Sequence, residues 1–197
     1  WTPAEPHLDA SPLLLVHGLG ASTVGWEPVG GALADALGAP VTAIDLPGFG
    51  GTRCPDLPTD MDLHGRVLHA VLAETGPMVV VGNSMGGSVA IAVAAQDPAP
   101  FTGLVLVNPA LPRPVGSFDA MARTAKFAAL LAPRIATPVV QARAMRLGPE
   151  RLVDVTLSAV YADPGRIDPE VRDAYVAQAT ERSDYPEAAP AYATSGG

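Results

Sequence analysis

The sequence predicts an α/β fold of three layers, a mostly parallel sheet with helices on both faces, followed by a helical lid. Three observations predict it. Short apolar runs recur up to about Asn108; longer stretches with helical spacing separate them; and after Leu111 the helical pattern continues without a strand. A chain of 197 residues, 48% hydrophobic and 16% charged, can bury the core of one globular domain. Residues 1–111 read as the α/β core and residues 112–197 as the lid or cap.

The runs Leu13 to Val16, Val41 to Ile44, Met78 to Val81 and Leu104 to Val107 are continuous rather than alternating. Strands buried on both faces read this way. Between them, Val24 to Leu37 and Leu63 to Glu74 carry helical spacing, and Thr59 and Asp62 precede the second at the offset of a capping box. Met85 to Gln96 is small and apolar and is stopped by Asp97-Pro98, which predicts a helix against the sheet. In the lid, Thr137-Pro138 and Asp168-Pro169 each set a cap before a proline at the first helical position, and Gly148 can close the preceding helix. Leu147-Gly148-Pro149 and Asp163-Pro164-Gly165 mark further breaks.

Composition removes several function classes. A formal charge of -8 repels nucleic acid and anionic membranes, so neither is expected as a partner and a small neutral or hydrophobic molecule is. The single Cys54 excludes an internal disulfide framework and agrees with a reducing cytoplasm; it reads as a passive loop thiol. No segment approaches the roughly 18 apolar residues of a membrane helix. The opening WTPAEPHLDASP has neither the basic start nor the apolar centre of a signal peptide, and the missing initiator Met suggests processing or a piece of something longer. Scattered histidines and one cysteine give no metal cluster, and no cofactor is implied.

The chemistry concentrates in Met78-Val79-Val80-Val81-Gly82-Asn83-Ser84-Met85-Gly86-Gly87, a buried strand that runs through G-x-S-x-G directly into a helix. A nucleophilic serine needs a tight turn that lifts its hydroxyl out of the sheet, and glycines at 82 and 86 remove side chains that would collide there. The helix that follows aims its first amides at the place where negative charge develops in acyl transfer. A second strand, Leu13 to Val16, ends in His17-Gly18-Leu19-Gly20, a loop able to bring another amide beside the serine. Ser84 is therefore the candidate nucleophile, and the Leu19 and Met85 N–H groups are the candidate oxyanion donors.

In order and spacing, His17-Gly18-Leu19-Gly20, Asp45-Leu46-Pro47-Gly48-Phe49-Gly50 and Gly82-Asn83-Ser84-Met85-Gly86-Gly87 resemble the α/β-hydrolase superfamily over about residues 12 to 111. Asn-Ser-Met-Gly-Gly is similar to the elbow of esterases and of the carbon–carbon bond hydrolases that cleave ring-fission products. The resemblance implies a chain order of serine, acid, histidine. Here His7, His17, His64 and His69 all precede Ser84, and none follows it. The position where some relatives place the acid is Asn108, which cannot stabilise an imidazolium as a carboxylate does. Asp119, Asp154, Asp163, Asp168, Asp173 and Asp184 fall in the lid and read as caps or solvated charges. By the same resemblance His17 supports its loop rather than acting as base; His64 and His69 read as exposed or hydrogen-bonded surface histidines, and His7 has no pattern around it.

The expectation is thus a hydrolase that stops before its last strands. A small ester or similar acyl substrate is implied, with a second chain or a missing C-terminal segment completing the sheet and covering an apolar edge at Leu104 to Val107. Little or no turnover is expected of these residues alone. An acyltransferase, a cofactor-free haloperoxidase, and a non-catalytic module that binds a ligand or protein stand as alternatives. Asp45 is expected to bond backbone in its Pro-Gly turn. Trp26 and Phe49 either line the substrate entrance or pack under the lid, and Met85, Met121, Met145, Phe118 and Phe127 either offer the lid an adaptable pocket surface or form helical core.

Overall fold

The computed structural model describes residues 1–54, 56, 58–111, 147–158, 160–185, 188, 191 and 194–195. Strands β1 (Leu13–Val16), β2 (Val41–Ile44), β3 (Met78–Asn83) and β4 (Phe101–Val107) form one parallel sheet in the order β2-β1-β3-β4. Helices α1 (Glu27–Leu37), α2 (Met61–Thr75) and α3 (Met85–Gln96) connect them. Residues 147–158 are helical, and α4 spans Pro169–Arg182.

Alternation along β1 builds the three layers. Leu14 and Val16 enter one core with Leu68 and Leu72 of α2 and Val89, Ala90 and Val93 of α3. Leu13 and Leu15 enter a second core with Ala34 of α1, Val41 and Val81. Both faces of β1 are therefore buried, and each of its leucines contributes about 2 kcal/mol by leaving water. The sheet's order reverses between β1 and β3, each flanked by its sequence successor on the outer side. In a parallel sheet, the crevice beyond the carboxyl ends of two such strands is where ligands bind.

Several local expectations change. The helix expected over Val24 to Leu37 is a 3-10 turn, Thr23–Trp26, joined to α1; its Ser22 cap accepts from the Val24 N–H. The cap of α2 is Asp60, whose carboxylate accepts from the Leu63 N–H at 2.9 Å, rather than the Thr59 and Asp62 pair. Thr59 is drawn elsewhere, donating to Ala191 O and bonding the Thr194 hydroxyl. Strand β4 starts three residues before Leu104. It is exposed on both faces along Leu104 to Val107, and no described strand lies beyond it. Asp168 caps α4 as expected, accepting from the Glu170 N–H, and Asp163 caps the short turn Pro164–Arg166. Gly148, at φ 71, lies at the start of the 147–158 helix. Thr137-Pro138, Phe118, Asp119, Met121, Phe127 and Met145 lie outside the described residues.

Candidate active site

Ser84 stands between the last residue of β3 and the first of α3 with φ 49 and ψ -116, a conformation that costs an L-residue on the order of 1–3 kcal/mol. Its surroundings over-determine the bend. The Ser84 N–H and the Asn83 side-chain amide both donate to Val107 O, at 3.0 and 3.2 Å, and the Ala110 N–H donates to Ser84 O at 3.1 Å. The two glycines of the motif are sterically required. A Cβ on Gly82 would lie 2.6 Å from the Gly87 Cα, and one on Gly86 would lie 2.5 Å from the carbonyl oxygens of Val16 and His17. These neighbours are backbone and cannot swing away, so β3, α3 and the end of β1 close on the serine only with hydrogen at both positions.

The loop after β1 lies directly against the bend, since a Cβ on Gly18 would come to 3.0 Å from the Ser84 Cβ. Leu19 is half-buried there and Met85 is buried. Among the described residues, neither the Leu19 nor the Met85 N–H has a protein acceptor. Met85 is the first residue of a twelve-residue helix, where unpaired amides and the helix dipole favour an anion.

None of the four histidines is hydrogen-bonded to Ser84, and three of them bond other groups through their rings. His17 is buried; its Nε2 accepts from the Leu46 N–H at 3.0 Å, which leaves Nδ1 to donate to Gly18 O at 2.7 Å, and burial lowers its pKa. It buttresses the loop as the resemblance implies. His69 is exposed and pairs with Asp97 at 3.0 Å. His7 packs its ring over Gly38, and its backbone N–H donates to Gly38 O at 2.8 Å. His64 corrects the surface reading: it is fully buried, with Nε2 2.8 Å from the Ser195 hydroxyl, which itself donates to Thr59 O. Its Nδ1 is buried without a partner among the described residues. The signal was present in the spacing, for His64, Leu68 and Leu72 recur every four residues on the buried stripe of α2.

Phe49 is buried at 2% exposure, its ring edge-on to His17 at 5.6 Å and tilted against His64 at 6.0 Å. That places it in the core beneath the loop. Trp26 is half-buried and packs on the α1 side of the sheet, against the core that holds Leu13 and Val41. Asp45 bonds backbone, as its turn predicts, but in two loops at once: it accepts from the Thr23 N–H and the Gly51 N–H. Arg182 of α4 carried no sequence signal, yet it donates to Gly48 O at 2.5 Å and Gly50 O at 3.3 Å. Asp154 and Asp173 are exposed partners of Arg172. An open cleft lined by Leu147, Arg151, Asp154, Val176 and Thr180 separates the 147–158 helix from α4, away from the loops around Ser84. Among the described residues, no cluster of metal-ligating side chains is present, and no helix is long and apolar enough to cross a membrane.

Comparison with known proteins agrees with this geometry. A family profile described as alpha/beta hydrolase fold matches residues 11–148. Lipase LipV of Mycobacterium tuberculosis is 36% identical over 102 residues, covering 50% of this chain and 37% of that protein. The 2-hydroxy-6-oxo-6-(2'-aminophenyl)hexa-2,4-dienoic acid hydrolase of Metapseudomonas resinovorans is 35% identical over 105 residues, 50% of this chain and 36% of that one. Among solved structures, Cfl2 of Burkholderia cenocepacia superimposes with a TM-score of 0.73 at 22% identity, covering 95% of this chain and 64% of its own, a likeness of fold. The matched segment spans little more than a third of these two curated relatives.

Proposed function

We propose, from the premise that this chain belongs to the alpha/beta hydrolase family, that it carries the nucleophile half of a serine hydrolase acting on small carboxylic esters or related acyl substrates. The observation that carries this reading is the strained, glycine-bracketed turn at Ser84. A serine in an ordinary strand-to-helix turn has no need of φ 49, whereas a nucleophile must stand clear of the sheet. The similarity to a lipase and to a hexa-2,4-dienoic acid hydrolase supports hydrolytic chemistry.

In the proposed reaction Ser84 Oγ attacks the substrate carbonyl carbon, its proton passes to a general base, and the carbonyl oxygen becomes an oxyanion. The amides of Leu19 and Met85 receive that oxyanion, the second aided by the α3 dipole. Collapse of the tetrahedral intermediate expels the alcohol, and water then releases the acyl group from Ser84. No histidine ring is bonded to Ser84, and those of His17, His64 and His69 are bonded elsewhere, so base and acid are assigned to sequence outside these 197 residues. Residues 1–197 alone then bind acyl substrates but turn them over slowly.

A fluorophosphonate probe tests the assignment. In the full-length gene product it should label Ser84, Ser84→Ala should abolish labelling, and residues 1–197 alone should react roughly a thousandfold more slowly. A full-length protein that is neither labelled nor able to cleave short-chain nitrophenyl esters would hand the fold to the non-catalytic binding reading, which the engagement of the His17, His64 and His69 rings away from Ser84 favours.

A further inference from the structure

The loop that holds Leu19 is fastened at both of its ends to the loop after β2. At its start, the Leu46 N–H donates to His17 Nε2 while His17 Nδ1 donates to Gly18 O. Four residues beyond Leu19, the Thr23 N–H donates to Asp45 Oδ1 at 2.7 Å. The other oxygen, Oδ2, accepts from the Gly51 N–H at 2.8 Å. One carboxylate thus joins the two loops at the carboxyl ends of neighbouring strands. The arrangement is built around that carboxylate, because a Cβ on Gly50, at φ 53, would lie 2.0 Å from the Asp45 Cγ. From the lid side, Arg182 holds the same β2 loop through Gly48 O and Gly50 O.

We propose that Asp45 is a positioning residue for acyl transfer, fixing the Leu19 amide against Ser84 by tying Thr23 to Gly51; this rests on the serine-hydrolase reading above. The hydrogen bonds of Asp45 run to Thr23 and Gly51, and none runs to Ser84. Asp45 acts through the loop, whose start already abuts the Ser84 Cβ across Gly18. Both carboxylate oxygens are needed as acceptors. An amide offers one oxygen, and its NH2 faces the remaining N–H donor to donor. The consequence falls on the transition state, since an oxyanion donor matters most once the charge has formed, and a displacement of about 1 Å is enough to be felt in rate.

The test compares Asp45→Asn with Asp35→Asn in the full-length gene product. Asp35 is an exposed carboxylate that accepts from the Ala4 N–H, the same type of bond placed away from Ser84. Asp45→Asn should raise amide hydrogen exchange about tenfold or more in peptides covering 17–26 and 46–52. It should lower kcat for a short-chain ester about tenfold or more with KM within about twofold, while Asp35→Asn changes neither. Unchanged exchange in those peptides overturns the proposal. So does faster exchange with an unchanged kcat, because the tie would then be structural only. If the unsubstituted protein hydrolyses no ester and takes up no fluorophosphonate, the function reading has failed, and the positioning role for acyl transfer is overturned with it even where the exchange data show the tie itself.

Discussion

Burial holds the His64 imidazole neutral, pushing its pKa down to about 4, and the nearby His17 adds to the effect. In the unfolded chain it titrates near 6.5. Between those values the unfolded chain binds a proton that the folded one refuses, so the contribution of His64 to stability is complete above about pH 6.5 and is lost as pH falls toward 4. His17, lowered for the same reason, works in the same direction. The tautomer is set by its neighbour: Ser195 donates to Thr59 O and so accepts from His64 Nε2–H, leaving Nδ1, which has no partner among the described residues, as the atom that must take the proton. Urea unfolding between pH 7 and 5 should therefore show a falling midpoint, equivalent to on the order of 1–2 kcal/mol, and His64→Gln should flatten it. Equal slopes in both proteins would remove His64 as the cause. Its burial was legible from the i, i+4 stripe with Leu68 and Leu72. Its bond to Ser195 was not, because a contact spanning 131 residues leaves no trace in local spacing.

Among the elements, those that surround Ser84 were legible. Strands β1 and β3 and helix α3 are continuous apolar runs that the sheet interior demands, and their observed limits fall within two residues of those expected. Legibility failed where a tertiary partner chose between two equally suitable residues. Thr59 and Asp60 are both good helix caps, and Thr59 loses the role because Ala191 and Thr194 engage its hydroxyl, leaving Asp60 to take the Leu63 N–H. Replacing Asp60 with Ala removes a capping acceptor and a negative charge from the positive end of the α2 dipole. The expected cost is about 1 kcal/mol, read as a lower thermal midpoint with the circular dichroism of the folded state unchanged. Thr59→Val should leave the cap intact and loosen only the contact with Ala191 and Thr194. A larger loss in Thr59→Val than in Asp60→Ala would return the cap to Thr59.

At the scale of the whole molecule, charge and shape oppose each other. Among the described residues, strand β4 ends the sheet with Leu104, Val105, Leu106 and Val107 each at least 36% exposed, and neither a charge nor a proline interrupts Phe101–Val107. Such an edge offers unpaired backbone groups beside apolar side chains, a template for pairing with another strand. Against this stands a formal charge of -8 at pH 7, which repels a second copy. The repulsion fades as pH falls toward the isoelectric point near 4.8, and added salt weakens it at neutral pH by screening over distances of about 8 Å. Residues 1–197 in isolation should therefore sediment as larger species when pH is lowered from 7.5 to 5.5 or when salt is raised, and both changes should act in the same direction. Val105→Lys puts a charge in the middle of the edge and should keep the protein monomeric under both conditions without altering its circular dichroism. If the lysine variant associates as readily as the parent, the contact lies elsewhere on the surface and β4 is not the edge that recruits a neighbour.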